Sequence, residues 1–118
     1  FSHYSRNRWT AVGTANARDW VEVSLPAPHR VGSVELFLWG DGARVKAPKR
    51  ITVEFWNGRA WAAARVLSQV PALPQVSSVN TVQIEPVVTG KVRILFDHDL
   101  PAVSGMTELI IRDEVITP

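Results

Sequence analysis

The chain has no cysteine, which removes a disulfide framework, a thiolate zinc site and a cysteine nucleophile together. It has no apolar run approaching the ~20 residues a helix needs to cross a bilayer. It also lacks a dominant charge. Thirteen Lys and Arg stand against eleven Asp and Glu, for a net charge of +2. The basic residues are dispersed among acids rather than gathered into the stripe of a nucleic-acid footprint, so no nucleic-acid partner is expected. Nor is there an internal repeat, a low-complexity segment or a signal peptide before Phe1, as expected of a module cut from a longer polypeptide. What remains is 118 residues, 46% hydrophobic and 20% charged. That balance fits one folded domain with one core, spanning 1–118.

The hydrophobic pattern has a period of two. Val21, Val23 and Leu25 alternate with Glu22 and Ser24 until Pro26-Ala27-Pro28 stops the run. Val34, Leu36 and Leu38 alternate with Glu35, Phe37 and Trp39, ended by Gly40-Asp41-Gly42. Ile51, Val53 and Phe55 alternate with Thr52, Glu54 and Trp56. Asn57-Gly58 tolerates the positive φ of a tight hairpin, which predicts a fourth strand near 59–65. A helix over 60–66 is the alternative there, but the preceding turn favours strand. Further runs lie at 80–85, at 92–96 and at 108–112. Each is β-branched or aromatic and bounded by Gly, Pro or Asn. Short strands without βα alternation predict an antiparallel β-sandwich.

Strands that run alternately up and down give this sandwich two unlike ends. The short turns at 26–31, 57–58 and 86–90 fall at one. The long segments at 5–18, 40–49, 66–78 and 97–105 fall at the other, where a rigid β scaffold usually carries its function.

Several stretches resemble a known family. Arg8-Trp9-Thr10 followed by Arg18-Asp19-Trp20-Val21-Glu22-Val23 looks like its paired tryptophans. Residues 31–38 run into Trp39-Gly40-Asp41-Gly42-Ala43-Arg44-Val45, and residues 48–61 read as a strand, a glycine turn and a tryptophan. Lys91-Val92-Arg93-Ile94 and Thr107-Glu108-Leu109-Ile110-Ile111 look like its last two strands. The family is the discoidin-like or factor V/VIII type C one, with the galactose-binding-domain fold (a jelly-roll), and it includes the family 32 carbohydrate-binding modules. The stretches at 39–48 and 55–61 are most similar to versions appended to secreted bacterial glycoside hydrolases, including β-L-arabinofuranosidase-like enzymes. The resemblance covers nearly the whole chain. It implies a secreted, monomeric, non-catalytic module that binds a polysaccharide or oligosaccharide and sits beside a catalytic domain in the same polypeptide. It transfers the fold well and the ligand poorly.

The resemblance also implies a structural calcium, which an Asp- or Asn-containing turn before the first tryptophan helps to hold. Here residues 1–7 contain no acid, and Glu108 matches a late glutamate that faces that ion. One carboxylate is a thin set for a cation that takes six or more oxygens. Pairing of Glu108 with an Arg or a backbone N–H is the favoured expectation, and no cofactor is required.

Flat indoles can cover the C–H face of a sugar ring, and the chain has five. Trp20 and Trp61 match family core positions and are expected to be buried. Trp9 resembles a packing element, and Trp56 is expected to cover the sheet surface at the short-turn end. Trp39 ends a strand at the long-loop end and is the aromatic candidate for ligand binding. Asp41 and Arg44 could bracket vicinal hydroxyls by accepting and donating hydrogen bonds. Lys46, Lys49 and Arg50 follow. The first loop contributes Arg6 and Asn7, and the last contributes Asp97, His98 and Asp99. The excess of cations there points to an acidic or phosphorylated ligand. Taken singly, each of these reads as a solvated side chain or a weak surface ion pair.

Asp97-His98-Asp99 is not expected to be catalytic, because neighbours on a strand point to opposite faces. A glycosidase also needs two carboxylates ~5–10 Å apart across a deep cleft. Two other roles stay open. A strand-face patch containing Phe37 or Trp56 would serve packing against a neighbouring domain. Val66, Leu67, Val70, Leu73 and Val76 would serve a membrane or protein surface, although a membrane partner is not the expectation.

Overall fold

The computed structural model describes residues 2–5, 9–10 and 16–112, with side chains described from residue 16 onward. These residues form β1 (Ser2–Ser5), β2 (Trp9–Thr10), β3 (Arg18–Leu38), β4 (Arg50–Trp56), β5 (Trp61–Ala63), β6 (Val66–Val70), β7 (Val79–Asp97) and β8 (Gly105–Arg112). Every strand pairing is antiparallel, and there is no helix among the described residues.

The predicted short strands at 21–25 and 34–38 are halves of one element, and so are those at 80–85 and 92–96. β3 is 21 residues long, which would span roughly 70 Å if straight. The largest extent of the molecule is 37 Å, so the β3–β7 pair doubles back on itself. Register shifts between Ser24 and His29 and between Val31 and Ser33 mark where it bends. Pro26 and Pro28 lie in the bend, where missing N–H donors cost no ladder bond. The bent pair builds two layers. In the first, residues 18–24 pair with 91–97, and β4 and β5 follow outward. In the second, residues 33–37 pair with 79–83, flanked by β8 and β1 on one side and β6 on the other.

The inward alternation read from the sequence is the one observed. Val23, Leu25, Ile51, Val53, Val92, Ile94 and Phe96 from the first layer form one cluster with Val34, Leu36, Leu38, Val82, Ile84, Leu109 and Ile111 from the second. This is a β-sandwich closed by side chains from both inner faces. Phe96 has no exposed surface, and its truncation to Ala would cost about 3–5 kcal/mol.

Two local expectations are corrected. The turn after β4 takes four residues rather than two, since Trp56 pairs with Trp61. Asn57 holds it, its Oδ1 accepting from the N–H groups of Arg59 and Ala60 at 2.9 and 3.0 Å, with Gly58 at φ 98°. The segment 66–78 is not all loop. It opens with β6, an edge strand that leaves Val66, Leu67 and Val70 exposed.

Candidate functional site

Hydrogen bonds between loops show that the described parts of the long segments gather at one end. The N–H of Trp39 donates to the Gly105 carbonyl, that of Lys49 to Asp97, that of Ser77 to Leu38 and that of His98 to Ala17. Val45 and Val103 form an isolated bridge and pack with half-buried Trp39 in a small second cluster. Because Val45 points inward, its neighbours Arg44 and Lys46 point out, and both are exposed.

Asp41 shapes the loop that carries them. Its Oδ1 accepts from the N–H groups of Ala43, Arg44 and Val45 at 2.8, 2.9 and 2.9 Å. These three donors, that of Val45 foremost, hold its carboxyl below the usual range. Oδ1 is therefore committed to the backbone, and only Oδ2 stays open to a ligand hydroxyl. Gly42 completes the turn at φ 77°. Gly40 is required by close approach, since a Cβ there would lie 2.8 Å from Val76 Cγ1 and 3.0 Å from the Val45 carbonyl oxygen.

The cavity at this end, about 440 Å³, is lined by Ala17, Lys49, Arg50, Asp97, His98 and Leu100. Asp97 sits between two guanidiniums. It accepts from Arg18 Nε and, at 2.9 Å, from Arg50 Nε. The Arg18 bond first, then Arg50, lowers its carboxyl to about 2. The three residues form one cross-strand row, Arg18 opposite Asp97 and Asp97 opposite Arg50. Each partner fixes the other's rotamer, which presents N–H donors in a set direction at the cavity wall.

His98 lines the cavity but is enclosed, with no exposed side-chain surface. The N–H of Ser104 donates to Nδ1 at 3.1 Å. That makes Nδ1 an acceptor and puts the proton on Nε2, which donates to Asp19 Oδ2 at 2.8 Å. Ser104 Oγ lies 2.9 Å from Nδ1. The Ser104–His98–Asp19 string has the spacing of a nucleophile, base and orienting acid, yet Ser104 is itself fully buried. No substrate carbonyl reaches its Oγ in this structure. The string ties the 98–104 loop to the start of β3, and a surface ligand does not reach the imidazole expected to bind one.

The remaining sequence candidates divide plainly. Lys46, Lys49, Arg44 and Asp99 are exposed at this end, and none of the four forms an ion pair among the described residues. Arg6 and Asn7 lie outside the described residues, as does the side chain of Trp9. Glu108 is exposed on β8 opposite Phe37. No group of three His, Asp or Glu converges on a metal among the described residues, and Glu108 has no ion-pair partner there. It does not by itself match the oxygen set of a calcium site.

Trp20 and Trp61 are not core residues. Trp20 is 52% exposed and Trp61 half-buried. Both lie on the outer face of the first layer, where the Arg93 guanidinium carbon is 5.4 Å from the Trp20 ring centre and 4.5 Å from that of Trp61. Glu54 Oε1 accepts from Arg93 at 2.7 Å. The indole, guanidinium and indole, from β3, β7 and β5, thus form a row across four strands, and Leu95, directly opposite Trp20, is buried on the same face. Trp56 meets Trp61 edge-on, with centroids 5.7 Å apart and planes at 71°. It covers the sheet surface, as its strand position implied.

Arg18 and the bridging role of Arg50 were not singled out from sequence. Their signal is a cross-strand row, which appears only once the order of β3, β7 and β4 is known.

No family model matches this sequence, and no curated protein does. Solved structures share its fold. One, from a study of the Streptococcus pneumoniae β-galactosidase, superposes with a TM-score of 0.79 at 13% identity, covering 92% of this chain and 80% of that one. A pectin-binding carbohydrate-binding module gives 0.63 at 18% identity, covering 94% and 75%. Chitosan-binding module 1 of a chitosanase/glucanase from Paenibacillus sp. IK-5 gives 0.60 at 12%, covering 95% and 93%. At these identities the likeness is one of fold: an all-β antiparallel sandwich of the kind found in carbohydrate-binding modules.

Proposed function

We propose that this chain is a non-catalytic carbohydrate-binding module that takes a glycan at the long-loop end. The observation that carries the reading is the cavity lined by Lys49, Arg50 and Asp97, where the fixed donors of Arg50 meet Lys49, a cation with no ion-pair partner among the described residues. Arg44, Lys46 and half-buried Trp39 lie at the same end, outside the lining of this cavity. A sandwich fold shared with carbohydrate-binding modules supports the reading. Affinity at one such site is weak, high-micromolar to millimolar, or about −4 to −6 kcal/mol. The cation excess favours an acidic polysaccharide or oligosaccharide.

In this reading the chain is one discoidin-like domain of a larger, secreted bacterial glycoside hydrolase. It acts as a monomer, without a cofactor, and holds the attached enzyme near its polymer by raising effective concentration. The family likeness also carries a structural calcium facing Glu108, which would need oxygen ligands beyond that one carboxylate. Unchanged melting on chelation with EDTA would remove it.

Affinity electrophoresis through gels containing plant and bacterial polysaccharides, neutral and acidic, tests the central statement. At least one polymer should retard the chain, and Arg44→Ala and Trp39→Ala should reduce the retardation. Free mobility in every gel would sink the proposal.

A second reading has one observation behind it. The β6 edge leaves Val66, Leu67 and Val70 exposed, with Leu73 beyond them, and an apolar edge strand invites cover by a neighbouring domain. Aggregation of the isolated chain, relieved by charged substitutions at Leu67 and Val70, would favour it.

A further inference from the structure

The opposite end of the sandwich has a cavity of its own, about 370 Å³, where the bend of β3, the β4–β5 turn and the bend of β7 meet. Its volume falls in the range of small-molecule sites. One wall is the indole of Trp56, steadied from the side by Trp61. Pro28 and Val88 supply apolar surface, and Val88 is 69% exposed. Lys91 supplies a cation. Its Nζ stands 5.5 Å from the Trp56 ring centre, near the outer limit of a cation–π contact, and no carboxylate pairs with it among the described residues.

The groups are held in place before any ligand arrives. Thr89 is buried, and its hydroxyl donates to the Trp56 carbonyl at 2.7 Å while accepting from the Lys91 N–H at 3.3 Å. One side chain thereby ties together the backbone segments that carry the ring and the cation. Asn57 has its Oδ1 taken by the turn, which leaves its NH2 group as the donor facing outward. Gly90 adds no side chain, and a Cβ built there meets open space.

We propose that this cavity is a second glycan subsite, specific for a hexuronate residue of an acidic glycan. The apolar face of the pyranose stacks on Trp56, its carboxylate draws the Lys91 ammonium off the ring into a charge-assisted hydrogen bond, and a ring hydroxyl accepts from the Asn57 amide. A neutral sugar uses the indole but leaves the cation idle, so the arrangement selects for the acid. The site lies at the end opposite the loop cavity, and the two stand or fall separately.

The test is a titration of isotope-labelled chain with trigalacturonate and, in parallel, with a neutral galactose trimer, read by amide and indole NMR shifts. Trigalacturonate should shift Gly58, Gly90, Lys91 and the Trp56 indole N–H. Lys91→Gln should weaken that response about tenfold, the worth of one charge-assisted bond, and Lys91→Arg should restore most of it. Gly90→Met should fill the cavity and abolish the response without altering shifts at Lys49, Arg50 and Asp97. If the Met variant fails to fold, the Gln and Arg pair still decides. Shifts confined to the loop-end reporters, an equal response to the neutral trimer, or an unchanged Lys91→Gln titration would each overturn the subsite while leaving the loop-end reading standing. Silence of both sets of reporters with both sugars would overturn the subsite and count against the loop-end reading too.

Discussion

The two ends of the sandwich carry similar residue types and use them differently. At the long-loop end the polar residues mostly hold one another. Asp41 caps its own loop, Asp97 is shared by Arg18 and Arg50, and His98 is buried between Asp19 and Ser104. At the short-turn end one buried threonine organises the backbone, and the aromatic and the cation are left facing outward. A polar cluster is thus poor evidence for a site until its internal bonds are subtracted. What remains at the loop end is Arg44, Lys46, Lys49 and the donors of Arg50 and Arg18. At the other end it is Trp56, Lys91 and the Asn57 amide.

The sharpest way to separate the ends is to break the buried polar string. His98→Ala opens a hole and removes the imidazole bonds to Asp19 Oδ2 and Ser104, a loss of about 2–4 kcal/mol in urea unfolding. The loop end should lose glycan binding at temperatures where the chain remains folded, while the Trp56 indole resonance stays in place. Gly40→Ala comes next. Its methyl meets Val76 and the Val45 carbonyl, and overpacking of this kind costs about 1–3 kcal/mol, again confined to the loop end.

Acid gives a third handle. Asp97 has its folded-state value lowered to about 2, so its ion pairs stabilise the fold above the unfolded carboxyl value near pH 4. That contribution is lost as pH falls from about 4 to 2. It amounts to at most about 2 kcal/mol, less for screening at the exposed arginines. Asp97→Asn should remove this part of the pH dependence, leaving the short-turn end unmoved. Smaller still, Asp41→Ala should speed amide exchange at Ala43, Arg44 and Val45 with little change in melting. Arg44→Ala should leave stability within about 0.5 kcal/mol and show only in binding.

The sequence disclosed the layers and the faces because period-two alternation is local. Val21, Val23 and Leu25 could only point one way, as could Val92, Ile94 and Phe96. The same alternation puts Trp20 with Glu22 and Ser24 on the outer face, so its exposure was legible. The expectation of burial followed residue type and family likeness instead. The doubling back of β3 and β7 was not legible, because prolines read as strand ends when nothing shows that the chain continues past them. Nor was the Arg18–Asp97–Arg50 row, which joins positions 79 and 47 residues apart. Asp41, Asp97 and His98 lie at the long-loop end, where strand alternation put them. That their bonds point inward is a fact of three-dimensional packing.

The most direct test is calorimetric titration of the glycan that retards the chain most strongly, against wild type and the triple variant Arg44→Ala/Lys46→Ala/Lys49→Ala. These three cations have no ion-pair partner among the described residues, so the fold should survive their loss. Binding by the triple variant should be at least about tenfold weaker, with unchanged melting. Equal affinity for the two proteins would contradict the loop-end reading.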